Sequence, residues 1–350
     1  MAVFTIPNIK MSGLAASVPR NTEDNAESNL LTETERNLFI KTVGIRYRRV
    51  AQQGVTASDL CVVAAQKLLA DLNWNRSEIK VLVFITQTPD YIIPNTSSLL
   101  QHKLGLPKNC LAFDVNLGCS GYTYGLSIVG SLLQNMPGGK ALLLVGDIST
   151  KTISMQDKST APLFSDAGTA TALEYSEGGA MHFNLQTDGE GYEDIMIPEG
   201  GFRNPVTEKS FEVKEYEKGI LRNGLAMKLD GIKIFNFALR EIAPNVNTLL
   251  QQLNIDKQQV DYFVFHQANL LMLESVRKKL QLPAEKVPYS LYDYGNTSSA
   301  TVPLTMVVKL RQQLQAQKLH LLLSGFGVGL SWGSVYLETE NIVCSELIEV

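Results

Sequence analysis

Short apolar runs alternate along this chain with stretches of helical period. Val81-Leu-Val-Phe-Ile85, Leu142-Leu-Leu-Val145, Tyr262-Phe-Val-Phe265 and Leu321-Leu-Leu323 carry no polar residue. A strand with one wet face alternates apolar and polar positions, whereas a strand covered on both faces does not. These runs therefore predict sheets packed between helices, an α/β layering. Thr56-Ala-Ser-Asp59 opens an amphipathic helix running to Leu72, with its hydroxyl and carboxylate spaced for a capping box. Alternation up to Val115 reads as a strand, and the small and apolar residues from Ser120 onward read as a buried helix. The segment from Asp230 to Leu239 is amphipathic, and Pro244 predicts a kink or an end to its helix. Met1–Pro19 reads as a strand and loop without a signal peptide's basic start and apolar core. Glu338–Val350 reads as an acidic tail after the last strand.

The pattern repeats once, about 177 residues apart. Val81-Leu-Val-Phe-Ile-Thr-Gln87, Leu104-Gly-Leu-Pro107, Gly118-Cys119 and Leu142-Leu-Leu-Val-Gly146 recur as Tyr262-Phe-Val-Phe-His-Gln267, Leu280-Gln-Leu-Pro283, Gly295-Asn296 and Leu321-Leu-Leu-Ser-Gly325. Each copy predicts a strand, a helix ending near Leu-x-Leu-Pro, a second strand, a Gly-X turn, an apolar helix and a third strand. So long a period indicates a duplicated domain, not a solenoid. The halves divide as 1–177 and 178–350, with the seam in Tyr175–His182. Residues 189–231, rich in Gly, Glu and Lys, read as an insertion that is mobile or covers substrate.

The 350 residues are 45% hydrophobic and 19% charged, with a net charge of −4. Without a basic block, nucleic acid is excluded as a partner. No apolar run approaches the roughly 20 residues needed to span a bilayer, so a cytoplasmic protein without membrane insertion is expected. Cys61, Cys110, Cys119 and Cys344 form no Cys-x-x-Cys pair, and the four histidines show no ligand spacing. Reduced thiols and no metal are therefore expected.

Cys119 is the informative thiol. It lies where a strand turns into a helix, and the unpaired N–H groups and dipole of a helix N-terminus favour a thiolate. Taken singly, Cys119 reads equally as a small core residue, His266 as a structural strand-end histidine and Asn296 as a turn residue. Together they are a thiol, an imidazole and a carboxamide. Cys119 and Asn296 hold equivalent places in the repeat, and His266 ends a strand of the second copy.

Asp114-Val-Asn-Leu-Gly-Cys119-Ser-Gly-Tyr-Thr-Tyr-Gly, His266-Gln-Ala-Asn269, Tyr294-Gly-Asn296-Thr-Ser-Ser-Ala and Gly325-Phe-Gly-Val-Gly-Leu-Ser-Trp-Gly333 resemble β-ketoacyl-(acyl carrier protein) synthase III. Gly44-Ile-Arg-Tyr-Arg48, Phe164-Ser-Asp-Ala-Gly168 and Gly231-x-x-Ile-Phe235 extend the resemblance in order over nearly the whole chain. It implies a thiolase-like fold: duplicated α/β halves in five layers, α-β-α-β-α. It also implies an acyltransferase working by two half-reactions. Cys119 takes an acyl group from a thioester, and a malonyl thioester then loses carbon dioxide and attacks that group. His266 and Asn296 donate hydrogen bonds to the developing enolate, and the N–H groups of Cys119 and Val328 face the acyl-transfer oxyanion. The implied partners are an acyl carrier protein, acyl-coenzyme A or both, together with a second copy of the chain. No bound cofactor is implied.

Where the best-studied members stack a Trp and an Arg on the adenine of coenzyme A, this chain has Leu38 and Lys158. Leu271 and Asn236 replace two basic residues, while Lys233, Arg277, Lys278 and Lys279 leave a thinner patch for carrier protein. The simpler reading of 277–279 is a solvated helix face. These departures point to a specialised acyl pathway. Ile93, before Pro94, aligns with the residue that closes the partner's acyl pocket, and Leu111–Val115 is the candidate dimer strand. Two other functions compete: acyl transfer from Cys119 to an alcohol or amine with His266 as general base, and a non-catalytic subunit. A papain-like hydrolase disagrees with the repeat and with the order of motifs.

Overall fold

The computed structural model describes residues 2–350. In chain order the main elements are β1 (Ala2–Val18), α1 (Glu33–Val43), α2 (Ala57–Asp71), β2 (Ile79–Ile85), α3 (Thr96–Lys103), β3 (Leu111–Val115), α4 (Gly121–Leu133), β4 (Lys140–Ile148) and β5 (Asp166–Thr187). The second half adds α5 (Gly231–Gln252), β6 (Tyr262–Phe265), α6 (Leu270–Lys279), α7 (Thr301–Ala316), β7 (Lys318–Gly327) and β8 (Ser331–Glu340). The capping box at the start of α2 forms between Thr56 and Asp59.

The halves repeat one pairing scheme. In the first, β3, β2 and β4 pair in parallel, and β4 pairs antiparallel with residues 166–174 of β5. In the second, β6 and β7 pair in parallel, and β8 joins β7 and residues 181–187 of β5 antiparallel. Helices α4 and α7 pack between the two sheets, and their core joins Leu126 and Val129 to Leu304 and Val307. A helix covered on two sides must be apolar nearly all round, as α4 is. Helices α2 and α3 cover the first sheet from outside, while α5 and α6 cover the second. The result is five layers of duplicated α/β halves.

Several expectations change. The seam Tyr175–His182 lies inside β5. There the register against β1 breaks between the pairs Ile9–Tyr175 and Pro7–Ala180, so the 177/178 division falls in a bulge of one continuous strand. The second half has no counterpart of β3 among the described residues. A short helix, Leu291–Tyr294, occupies that place, and β6 is left as the sheet edge. Helix α5 continues through Pro244 because Ala243, Asn245 and Val246 on both sides are buried against the sheet. Within the acidic tail, Val343–Cys344 and Ile348–Glu349 pair in parallel with β1. The 189–231 segment is ordered by two small ladders, Ile195–Met196 with Lys228–Leu229 and Lys214–Glu217 with Ile220–Arg222. Among the described residues, no helix is long and apolar enough to cross a membrane.

Candidate active site

The parallel strands of both halves deliver their carboxyl ends to one cavity of about 550 Å³. Crevices at such strand ends are where layered α/β folds bind ligands. Gln87 follows β2, Asn116 and Cys119 follow β3, and Asp147 and Ser149 lie at the end of β4. His266 follows β6, Val328 follows β7, and Asn296 precedes α7. Cys119, His266, Asn296 and Val328 all line this cavity. Sequence positions 119, 266, 296 and 328 are thus brought together.

Cys119 is buried, immediately before Ser120, the residue that caps α4. The expected thiolate does not follow. Burial pushes the Cys119 thiol up to about 11, and the carboxylate of Asp147 adds to the shift. The N–H of Val328, the Ser298 hydroxyl and the N–H of Cys119 itself oppose it without reversing it. The helix terminus is outweighed because a charged sulfur here loses water and faces a buried carboxylate. Gly327 is required beside it: a Cβ there would lie 2.7 Å from Cys119 Cβ and 2.9 Å from Sγ. Val328 needs no glycine conformation, since its own φ is not positive and its N–H reaches the sulfur. The loop is tied by Ser331, whose hydroxyl bonds the Val328 carbonyl (3.0 Å) and Ser120 Oγ (2.7 Å).

His266 is also buried, with its ring edge-on to Phe326. Burial holds the imidazole down to about 3, so it is neutral at physiological pH. Its Nδ1 is 2.7 Å from Thr301 Oγ1, and that hydroxyl also reaches the Ser298 carbonyl at 3.1 Å. The Thr301 proton therefore has two places to go. Directed to Ser298, it leaves Nδ1 as donor and Nε2 as a bare acceptor; directed to Nδ1, it leaves Nε2–H as donor. Asn296 is fixed through its backbone, donating to Leu163 O (3.0 Å) and accepting from Ser165 N (2.9 Å). Its side-chain oxygen accepts from Ser298 N (2.9 Å), which leaves the amide NH₂ as the group facing a ligand.

Three residues missed in the sequence organise this site. Asp147 is fully buried and accepts from Gln87 N (2.7 Å), Thr86 Oγ1 (3.2 Å), Ser299 N (3.3 Å) and Ser299 Oγ (2.5 Å). It ties the second half's Asn296–Thr301 segment to the first half's strand ends. Its signal was a carboxylate closing the apolar run Leu142–Gly146. Ser298 appeared only within the Tyr294–Ala300 motif, and Thr301 gave no signal, since small hydroxyl residues near a helix start are ordinary.

The expected carrier-binding residues lie on α5 and α6, two of them ion-paired. Lys233 pairs with Asp194 (3.1 Å), and Arg277 with Glu274 (2.7 Å) and the Leu282 carbonyl (2.7 Å). Lys279 bonds the Leu239 carbonyl, and Lys158 pairs with Glu35. Lys278 lies on the exposed end of α6. Leu38 and Leu271 are 59% and 57% exposed. No group of three or more His, Cys, Asp or Glu converges as metal ligands among the described residues.

The structure is similar, over 99% of both chains, to a 3-oxoacyl-(acyl carrier protein) synthase from Burkholderia xenovorans LB400, with a TM-score of 0.93 and 39% identity. A synthase III from Pseudomonas aeruginosa PAO1 superposes with a TM-score of 0.83 at 28% identity, covering 96% of this chain and 99% of that one. The fold is thiolase-like, and the protein is a condensing enzyme, a transferase of acyl groups. The profile of 3-oxoacyl-[acyl-carrier-protein] synthase III matches residues 113–189, and that of its C-terminal part residues 250–339. A β-ketoacyl-[acyl-carrier-protein] synthase III from Koribacter versatilis (strain Ellin345) is 30% identical over 337 residues, 95% of this chain and 98% of that relative. The chain belongs to the β-ketoacyl-(acyl carrier protein) synthase III family.

Proposed function

We propose that the protein joins an acyl group carried on Cys119 to a malonyl unit with loss of carbon dioxide. The observation that carries this reading is the convergence of a thiol with two neutral donors, His266 and Asn296, in one cavity. At rest the thiol is protonated and the imidazole neutral. In the first half-reaction the thiol proton passes to His266 Nε2 as sulfur attacks the incoming thioester. The carbon–sulfur bond to the carrier breaks, and the departing thiolate takes that proton. In the second, the malonyl carboxylate leaves as carbon dioxide. His266 Nε2–H and the Asn296 amide hold the enolate oxygen, and the new carbon–carbon bond displaces Cys119, which regains a proton from solvent. The N–H groups of Cys119 and Val328 serve the tetrahedral oxygen in both. His266 accepts a proton in one half-reaction and donates a hydrogen bond in the other, matching the two directions open to the Thr301 hydroxyl.

Acyl and malonyl groups arrive on the phosphopantetheine of a carrier protein or coenzyme A, with no resident cofactor. Leu38 and the ion-paired Lys158 supply no stacking pair for adenine, which favours carrier-bound donors and a specialised pathway in the cytoplasm. Two copies pair through β3, whose Leu111 is exposed, and Ile93, 84% exposed, closes the partner's cavity. The test adds malonyl carrier to acylated enzyme. The expected outcome is carbon dioxide release and a β-ketoacyl product. Transfer to a hydroxyl or amine acceptor without dependence on malonyl carrier would establish the simple acyltransferase instead.

A further inference from the structure

The cavity changes character from one wall to the other. The wall built by α1, the 189–231 segment, α5 and α6 carries Phe39, Val43, Met196, Met227, Ile234 and Met272. The opposite wall, at the carboxyl ends of β2, β3 and β4, carries Gln87, Thr88, Asn116, Asp147 and Ser149. The polar wall borders the thiol directly. The Gln87 carboxamide lies so close to Gly118, the residue before Cys119, that a Cβ on Gly118 would collide with its oxygen.

These polar groups differ in what they have left to offer. Asp147 is occupied by its four donors. Thr88 Oγ1 accepts from Ile148 N (3.0 Å). Gln87 is anchored through its backbone N–H on Asp147, and Ser149 through its carbonyl, which accepts from Thr152 Oγ1 (2.8 Å). The Gln87 carboxamide and the Ser149 hydroxyl thus remain for a ligand.

Building on the acyl-loading reading above, we propose that this wall holds the acyl chain and selects one carrying a hydroxyl group within a few carbons of the thioester. A plain alkyl chain placed there strips water from the buried Ser149 hydroxyl, covers the exposed Gln87 carboxamide and returns no hydrogen bond to either. A chain hydroxyl donates to the Gln87 oxygen and accepts from Ser149, or the reverse. Polar sites discriminate more sharply than apolar pockets because the analogue lacking the group leaves the site's own polar atoms unpaired. The hydroxyl takes no part in bond making. Loading still exchanges the carrier's carbon–sulfur bond for that of Cys119, and the thiol proton goes to the departing thiolate.

The test follows loading of Cys119 by intact mass with 3-hydroxybutyryl- and butyryl-pantetheine, thioesters that make no use of a nucleotide or carrier site. The wild-type protein is expected to load the hydroxyacyl group about 10-fold faster. Ser149→Ala is expected to reduce that ratio, and Gln87→Leu with Ser149→Ala to bring it to one or below. Because each ratio is taken within one preparation, partly unfolded variant lowers both rates and leaves the ratio intact. Equal or faster butyryl loading by the wild-type protein overturns the proposal, as does a ratio unmoved by both substitutions. Absence of any adduct from either thioester is a separate result: it removes Cys119 as acyl carrier, and the preference with it.

Discussion

Gly118–Cys119 and Gly295–Asn296 hold equivalent places in the two halves, each preceding a helix packed between the sheets, yet they are built differently. Cys119 passes almost at once into α4, whose first residue is Gly121. Asn296 is followed by a separate turn, Ser298–Ala300, before α7 begins at Thr301. Ser298 adopts a left-handed φ of 52°, and Asn296 is clamped by Leu163 and Ser165 of the other half. One turn thus presents a side chain at a helix start. The other spends its backbone on cross-half hydrogen bonds and presents a carboxamide whose oxygen is already used. A duplicated scaffold gives two arms converging on one cavity, and local backbone geometry decides which chemistry each arm can hold.

The sharpest way to separate the arms is to remove each. Cys119→Ala should abolish acyl-enzyme formation by intact mass. Asn296→Ala should leave the adduct in place and slow condensation by about 10²–10³, the effect of losing one preorganised donor. Loss of the adduct in both variants would mean that the two turns act as a single unit.

A smaller effect tests the carboxylate that joins them. Asp147 raises the Cys119 thiol, so removing its negative charge stabilises the thiolate and lowers the titration midpoint from about 11. Below that midpoint the thiolate fraction, and with it alkylation by iodoacetamide, rises about 10-fold per pH unit. Asp147→Asn should therefore react faster than the wild-type protein at any fixed pH between 8 and about 10, with the whole profile displaced to lower pH. A coincident profile would mean that the sulfur does not feel this charge.

The smallest expected change concerns the His266 tautomer. Thr301→Val removes the hydroxyl facing Nδ1 and should slow condensation about fivefold, more than it slows loading; Thr301→Ser should restore both. Equal slowing of the two half-reactions would mark Thr301 as packing alone.

Much of this architecture was legible in the chain. Uninterrupted apolar runs such as Val81–Ile85, short and alternating with helical stretches, fit strands covered on both sides, and their recurrence shows the duplication. Pro244 carries a local signal for a helix end, and tertiary packing overrode it through buried neighbours on α5. The seam in the Ser-Glu-Gly-Gly stretch falls at a bulge within β5, and the acidic tail pairs with β1. The missing counterpart of β3 shows the converse, a local pattern too weak to hold a strand at a sheet edge.

The sequence by itself determined the layers, the duplication, the family and the three side chains at the cavity, because these depend on residue type and spacing along the chain. Only the tertiary structure decided their state. The helix start argued for a thiolate, but burial and a carboxylate from another strand left a protonated thiol beside a neutral imidazole. Protonation depends on which distant groups share a space without water, and no reading along the chain contains that distance.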